Sequence, residues 1–165
     1  MTDVVVRRLL ADDTAAYRTL RLAGLKESPE AFGSDYPTES TAPREQFAET
    51  LSSGYVAGAF LRGQLVAVAG FRPLDREKTR HRGDIWGVYV APEARGDGVG
   101  RQIVTYVLAY ARTRVVQVHL AVTASNAAAV ALYENLGFVR YGTEPRALLV
   151  EGRYLDEHLM VLQFS

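Results

Sequence analysis

Apolar residues recur along the chain either at every second position or at every third to fourth position, and the period changes many times. The β-branched stretch 4–8 is typical of a strand. Asp12 or Asp13 can then cap a helix that runs to about Lys26, because an aspartate side chain accepts a hydrogen bond from the free N–H groups of a first helical turn. The inner face of that helix would consist of Ala16, Tyr17, Leu20 and Ala23. The pattern therefore predicts a domain that mixes strands and helices.

The next segment is polar and repeatedly interrupted. Residues 26–40, "KESPEAFGSDYPTES", contain Pro29, Gly33 and Pro37, which predicts either a long loop or a short, broken helix. Pro43 stands where a further helix would begin, and Phe47 and Leu51 are four residues apart on its inner face.

The middle of the chain predicts a hairpin, a third strand and a helix. "YVAGAFL" and "LVAVAGF" flank the short connection "RGQ", a pattern typical of two antiparallel strands. The charged loop "LDREKTRHRG" leads into the strand "DIWGVYV". After a glycine-rich turn, an apolar residue recurs every four positions and would bury one face of a helix: Val99, Ile103, Val107 and Ala111.

The C-terminal third predicts a strand, a helix and two more strands. "VVQVHLAV" alternates like a strand, and "SNAAAVALYENLGF" predicts a helix that starts at Ser125 or Asn126 and stops at Gly137. "FVRYG" and "EHLMVLQF" are expected to be strands joined by the loop "TEPRALLVEGRYLD". Neither a repeat nor a linker interrupts the sequence, so residues 1–165 are expected to form one domain.

The turn "RGDGVG" is the most informative short stretch. Its glycines at 96, 98 and 100 lie between a predicted strand and a predicted helix, where small residues let a ligand approach the backbone and the first helical N–H groups are unpaired. Such a helix start favours a phosphate, although a plain tight connection has the same composition. Neither common nucleotide motif fits, because no Lys-Ser or Lys-Thr follows Gly100 and Arg101 stands where the dinucleotide fingerprint requires glycine.

The spacing Arg95-x-x-Gly98-x-Gly100, after a strand ending in Val-x-Pro, resembles the acetyl-CoA-binding motif of the GCN5-related N-acetyltransferase (GNAT) family. The segment "SNAAAVALYENLGF" is similar to the second conserved segment of that family, and the order of elements matches over almost the whole chain. The resemblance implies an α/β (α+β) fold: a central, mostly antiparallel, twisted sheet of about six to seven strands, flanked by helices, with a splayed central strand pair for coenzyme A. It also implies acetyl-CoA as acyl donor and no metal.

The same resemblance implies which residues contact acetyl-CoA. The pyrophosphate would meet the backbone of the turn, with Arg95 and Arg101 available for charge-assisted contacts. Asn126 would hydrogen-bond the pantetheine arm and Tyr133 would lie near the sulfur, although a helix cap and core packing explain these two residues as well. The full set of expected contacts is Val88, Tyr89, Val90, Arg95, Gly96, Asp97, Gly98, Val99, Gly100, Arg101, Asn126 and Tyr133.

An amine acceptor must lose a proton before it attacks. With an amine pKa of about 10.4, this costs roughly 4 to 5 kcal/mol at neutral pH, so a base or a water chain should help. Several members of the family carry a glutamate where Ala121 stands here. Asp84 is the next candidate, followed by Glu27 and Glu30, and each also has an ordinary explanation as a surface carboxylate. His119 is a weaker candidate.

Catalysis also has to accommodate the thiolate that leaves and the oxyanion that forms. Tyr133 is the expected donor to the thiolate. The oxyanion is expected to meet a backbone N–H of the strand 88–90, which requires no particular side chain.

The acceptor is less well determined by the sequence. Glu27, Glu30, Phe32 and Tyr36 lie where the family builds its acceptor pocket, and they suit a cationic or aromatic amine. A packed loop with Phe32 in the core explains the same residues equally well. Arg146 and Arg153 would instead favour an acceptor that carries a carboxylate.

Composition narrows the partners. Nineteen Lys and Arg balance 19 Asp and Glu, so no overall field attracts nucleic acid or a membrane, although a local basic cluster stays open. The chain has no cysteine and no leader-like segment, which fits a cytoplasmic protein. A small-molecule or peptide amine is the expected partner, and a homodimer stays open. The alternative to an enzyme is a non-catalytic acyl-CoA-binding regulatory module on the same fold.

Overall fold

The structure is a computed structural model and describes residues 3–165. Seven strands form one sheet in the order β1-β2-β3-β4-β5-β7-β6. The strands are β1 (Val4–Arg8), β2 (Tyr55–Leu61), β3 (Gln64–Pro73), β4 (Arg82–Val90), β5 (Gln117–Thr123), β6 (Val139–Val150) and β7 (Arg153–Gln163). All neighbouring pairs are antiparallel except β4 and β5, which are parallel. The mixed sheet confirms the predicted fold class.

In the part of the chain that the structure describes, five α-helices flank the sheet: α1 (Thr14–Glu27), α2 (Tyr36–Ser40), α3 (Arg44–Ser53), α4 (Val99–Ala111) and α5 (Ala127–Asn135). The polar segment 26–40 is the broken helix of the two predicted alternatives, since it contains a short 3-10 helix at Pro29–Ala31 and then α2. None of the helices in residues 3–165 has the length and apolar character required to cross a membrane.

The helices α1 and α4 cover opposite faces of the sheet. A Cβ added at Gly24 of α1 would contact the Tyr89 ring, whereas a Cβ added at Gly100 of α4 would lie 3.6 Å from the Val90 side chain. Tyr89 and Val90 are consecutive strand residues, so their side chains point to opposite faces. The apolar stripe of α4 is fully buried, as its spacing predicts: Val99, Ile103, Val107 and Ala111.

The parallel pair β4 and β5 is joined only at one end. Within residues 3–165, the register of this pair is limited to Arg82–Gln117, Gly83–Val118 and Asp84–His119. Beyond that point β4 continues to Val90 and β5 continues to Thr123, and the two strands diverge. The predicted splayed strand pair is therefore present, and it opens towards the glycine-rich turn.

The predicted loop over residues 143–156 is wrong, because most of this segment belongs to the long hairpin β6–β7. A tight turn at Glu151 and Gly152, both with positive φ, joins the two strands. β6 is the edge strand and most of its residues are exposed, so burial does not impose the alternation on which the prediction depended. Pro145 lies in an irregularity of the ladder between Glu144 and Leu148, where a missing N–H is tolerated.

Candidate active site

A cavity of about 630 Å³ lies between the end of β4 and the residues that follow β5, where the two strands have diverged. Its walls come from four places in the chain: the 3-10 segment after α1, the end of β4, the glycine-rich turn with the start of α4, and the first two turns of α5. The lining residues are Ser28, Glu30, Ala31, Val88, Tyr89, Val90, Ala94, Arg95, Gly96, Gly98, Val99, Gly100, Arg101, Ser125, Asn126, Ala128, Ala129, Leu132 and Tyr133. Eleven of the twelve residues expected to contact acetyl-CoA are among them, the exception being Asp97.

The turn presents backbone rather than side chains to this cavity. Gly96 and Gly98 have φ of +89° and +79°, and α4 begins immediately after Gly98 without a side-chain cap. The first N–H groups of α4 therefore have no partner within the helix, which makes this end attractive to an anion. An ideal Cβ at Gly98 would meet no atom within 4 Å, so packing does not explain the glycine there. These features are the ones that an anionic group such as a phosphate requires of a binding turn.

The Arg95 side chain already has hydrogen-bond partners within the protein. Its Nε donates to the Val90 carbonyl oxygen over 2.9 Å, and its two terminal nitrogens donate to the carboxylate of Glu27 over 3.2 and 3.0 Å. Arg101 is exposed and lines the cavity at the start of α4. The structure therefore leaves Arg101 more available than Arg95 to an incoming phosphate.

Glu27 is the centre of a polar cluster rather than an isolated surface carboxylate. Besides the pair with Arg95, it accepts hydrogen bonds from the Ser28 hydroxyl and, over 2.9 Å, from the Tyr89 hydroxyl. The hydrogen bond from Arg95, followed by that from Ser28, lowers the pKa of Glu27 to about 2. Burial and the bond to Glu27 raise the pKa of Tyr89 to about 12. An anionic carboxylate that is fully engaged in this way is poorly suited to act as a base near neutral pH.

Asn126 caps the N-terminus of α5, which is the simpler of the two roles expected for it. Its Oδ1 accepts a hydrogen bond from the Ala129 backbone N–H over 3.2 Å. The cap occupies the side-chain oxygen, and the residue also lines the cavity. Its amide nitrogen can thus serve a ligand without loss of the cap.

Tyr133 is both a core residue and a cavity residue. Its side chain is 7% exposed, and its ring packs edge-on against Phe138 with centroids 5.7 Å apart. Burial raises the pKa of the Tyr133 hydroxyl above its usual value. The phenol consequently remains protonated, and able to donate a hydrogen bond, throughout the neutral pH range.

The four residues expected at the acceptor pocket have different surroundings. Glu30 lines the cavity, whereas Phe32 is buried with its ring 5.9 Å from that of Tyr89. Tyr36 lies at the start of α2, under the ammonium group of Lys26. The alternative prediction for this segment, with Phe32 in the core, is the arrangement that the structure shows.

The two arginines considered for a carboxylate-bearing acceptor lie in the hairpin β6–β7. The Arg146 guanidinium stacks over the Tyr154 ring, and Arg153 begins β7. Neither is among the residues that line the cavity between β4 and β5.

Asp84 lies at the point where β4 and β5 separate. It is the register partner of His119 and forms an ion pair with Arg72, 3.4 Å away. It does not line the cavity. His119 itself contacts Gln117 and the Tyr141 hydroxyl, and burial together with the nearby Arg82 lowers its pKa.

Seven lining positions were absent from the expected site residues: Ser28 and Ala31 after α1, Ala94 before the glycine-rich turn, and Ser125, Ala128, Ala129 and Leu132 just before and within α5. Leu132 had a detectable signal, since it directly precedes Tyr133 in a segment already assigned to the site. Ser28 and Ala31 had a similar signal, since they adjoin Glu27 and Glu30 in the segment expected at the acceptor pocket, but their approach to this cavity depends on contacts between residues that are far apart in the sequence.

Comparison with known proteins gives consistent matches. The sequence model of the Acetyltransferase (GNAT) family matches residues 22–138. The N-alpha-acetyltransferase RimI of Mycobacterium tuberculosis is 35% identical over 112 residues, which cover 67% of this chain and 69% of that protein. The spermidine N(1)-acetyltransferase of Vibrio cholerae is 34% identical over 86 residues, half of each chain.

A shorter match relates the chain to part of a longer protein. The mycothiol acetyltransferase of Thermobispora bispora is 48% identical over 60 residues, which are 36% of this chain and 20% of that protein. The chain thus spans about a fifth of the length of this relative.

Solved structures agree over the whole length. A GNAT acetyltransferase from Streptococcus pneumoniae superposes with a TM-score of 0.88 at 21% identity, covering 99% of this chain and 100% of that one. A putative acetyltransferase from Salmonella typhimurium, solved with its cofactor acetyl-CoA, gives 0.84 at 22% identity and covers 98% and 94%. Acetyl-CoA is the acyl donor of the family that these matches share. From the family match over most of its length, together with this fold, the chain belongs to the GNAT acetyltransferase family.

Proposed function

We propose that this protein transfers the acetyl group of acetyl-CoA to the nitrogen of an amine on a small molecule or peptide, by direct attack with both substrates bound. The observation that carries the proposal is the cavity between β4 and β5, in which the glycine-rich turn, Asn126 and Tyr133 line one continuous space. These three features suit a diphosphate, an amide-containing arm and a leaving thiolate, respectively.

Three groups of residues would hold coenzyme A. The backbone N–H groups at the start of α4 and the side chain of Arg101 would bind the diphosphate. The free amide nitrogen of Asn126 would donate to the pantetheine arm, and the backbone of Val88 to Val90 would pair with it like an added strand. Bound acetyl-CoA supplies the acetyl group as a thioester.

The leaving sulfur is expected to receive a hydrogen bond rather than a complete proton transfer from Tyr133. A thiol has a pKa of about 8.5 and an ordinary tyrosine one of about 10, so complete transfer is already uphill by roughly 2 kcal/mol. Burial raises the pKa of Tyr133 further, which increases that cost. A hydrogen bond from the buried phenol still stabilises the negative charge on sulfur.

Asp84 is the proposed base, acting through water. It lies at the last paired position before β4 and β5 separate, and it does not line the cavity. It would therefore act on the amine through water and not by direct contact. Replacing it by asparagine should shift the acidic limb of the pH–rate profile. A profile identical to that of the wild type would eliminate Asp84 as the base.

The identity of the amine is open among the classes that the relatives represent. The proteins similar to this chain include a spermidine N(1)-acetyltransferase and an N-alpha-acetyltransferase. The test is release of the coenzyme A thiol from acetyl-CoA in the presence of a panel: spermidine, peptides with a free N-terminus, amino acids and aminoglycosides. Turnover with one class supports the proposal. Tight acetyl-CoA binding without turnover on any class would favour the non-catalytic acyl-CoA-binding module.

A further inference from the structure

A short segment crosses the opening between β4 and β5. We call residues 28–31 the strap. It follows α1 directly and contains the 3-10 turn Pro29–Ala31, and three of its residues line the cavity: Ser28, Glu30 and Ala31. The strap forms a wall of the cavity where backbone pairing between the two strands has ended.

The strap is fastened to β4 through Glu27, the residue that precedes it. The Glu27 carboxylate accepts from the Tyr89 hydroxyl of β4 over 2.9 Å, and from Arg95 over 3.0 and 3.2 Å. Arg95 in turn donates to the Val90 carbonyl oxygen. One carboxylate therefore joins the end of α1, the end of β4 and the start of the glycine-rich turn.

The strap is fastened to β5 through Thr123. The Thr123 hydroxyl donates to the backbone carbonyl oxygen of Glu30, and the Thr123 side chain is 3% exposed. Thr123 is the last residue of β5. The partners of the two attachments thus lie on the two strands that diverge, and they hold the strap at Glu27, directly before it, and at Glu30, its third residue.

We propose that Glu27 and Thr123 are positioning residues, which hold the strap across the opening and thereby keep the acetyl-CoA cavity at its binding width before the ligand arrives. Every residue that must be ordered during binding costs conformational entropy, and a wall ordered in advance removes that cost from the binding step. The inference rests on the proposed function, because it takes acetyl-CoA to be the molecule that fills this cavity. It also removes Glu27 from the candidates for the acceptor contact and the base.

Loss of the Glu27 attachment and loss of the Thr123 attachment should affect acetyl-CoA binding differently. The Glu27–Arg95 pair is 39% and 46% exposed, so solvent screens it. Its loss would also free Arg95 to approach the phosphates, which opposes the effect of a loosened strap. The Thr123 bond is buried and uncharged, so its removal changes the strap without changing the electrostatics.

The decisive experiment compares Thr123→Val with Thr123→Ser. Valine keeps the branched shape and removes the donor, whereas serine keeps the hydroxyl. We measure the dissociation constant of acetyl-CoA by calorimetry, and, in the protein without ligand, the amide hydrogen exchange of Ser28, Glu30 and Ala31, the strap residues that have a backbone N–H. The expected result for the valine variant is binding weakened about five-fold with faster exchange in the strap, and for the serine variant wild-type behaviour in both.

The possible outcomes test the role of the strap and the proposed function separately. A valine variant with wild-type affinity and wild-type exchange overturns the role of Thr123. A wild-type protein that does not bind acetyl-CoA at all refutes the proposed function, while the exchange comparison still reports on the strap. For Glu27, the variant Glu27→Gln should accelerate exchange in residues 28–31, whereas Glu93→Gln, a carboxylate near Arg95 outside the cluster, should not. Equal exchange in these two variants would overturn the role of Glu27.

Discussion

Tyr133 packs edge-on against Phe138 at a centroid distance of 5.7 Å, and the same residue lines the cavity between β4 and β5. A core role and a role next to the reacting sulfur are therefore compatible in geometry, and they must be separated by kinetics. The ring accounts for the packing. The hydroxyl is the only part of the side chain that chemistry at the cavity could use.

Tyr133→Phe should lower kcat by roughly 100-fold, the lower end of the range for acid catalysis by a positioned side chain. The melting temperature and the acetyl-CoA affinity should remain close to those of the wild type, because the ring is retained. The measurement is kcat at saturating acetyl-CoA under conditions where chemistry limits the rate. Tyr17→Phe is the matched control, since Tyr17 is 3% exposed and packs against Phe47, away from this cavity. An unchanged kcat in Tyr133→Phe would leave the residue with a packing role alone.

The contribution of Glu27 to stability should disappear in acid. Its pKa in the folded protein is about 2, below the ordinary value of 4.5, so the folded state binds this proton less readily than the unfolded state. The stabilisation is present above about pH 4.5 and is lost as the pH falls towards 2. Because the side chain is partly exposed, it should amount to no more than about 1 kcal/mol.

The measurement is the difference in unfolding free energy between the wild type and Glu27→Gln, followed by urea denaturation from pH 7 to pH 2.5. The difference should shrink as the solution becomes more acidic. A difference that stays constant over this range would show that the charge of Glu27 does not stabilise the fold.

The two roles of Asn126 can be separated by Asn126→Asp. Aspartate is as good an N-cap as asparagine, and its charge suits the N-terminus of a helix, so the melting temperature should not fall. It lacks the amide donor, so the acetyl-CoA dissociation constant should rise several-fold. Calorimetry and thermal unfolding on the same preparations give both numbers. A dissociation constant and a melting temperature that both remain at their wild-type values would assign Asn126 to the cap alone.

The sequence predicts those parts of the fold that burial imposes, and it misses those that long-range contacts impose. The stripe on α4 and the cap at Asn126 follow from local spacing, and the structure shows both. The two strands of the hairpin β6–β7 were predicted, but their continuation through most of residues 143–156 was missed, because an exposed edge strand carries no strict alternation. The pair between Glu27 and Arg95 was missed because 68 positions separate the two residues, and no local pattern connects one end of a helix to a distant turn.

The dependence on long-range contacts also explains which of the expected site residues line the cavity and which do not. The expected contacts of the turn and of α5 line one cavity, because each is carried by a short motif whose backbone geometry is local. The acceptor residues were proposed from position alone, and the structure places Phe32 in the core and Glu27 in an ion pair. The packing of α1 against Tyr89 determines where Phe32 and Glu27 lie.

The central claim is that the glycine-rich turn binds the diphosphate of acetyl-CoA, and Gly98 and Gly63 provide the most direct test. Both have φ of +79°, and an ideal Cβ at either position would meet no atom within 4 Å, so valine imposes the same backbone strain at each. Only Gly98 lies at the cavity. The measurement is the acetyl-CoA dissociation constant of Gly98→Val and Gly63→Val, each confirmed as folded by circular dichroism. The account predicts binding weakened by at least about tenfold in Gly98→Val and unchanged in Gly63→Val, whereas wild-type affinity in a folded Gly98→Val would contradict it.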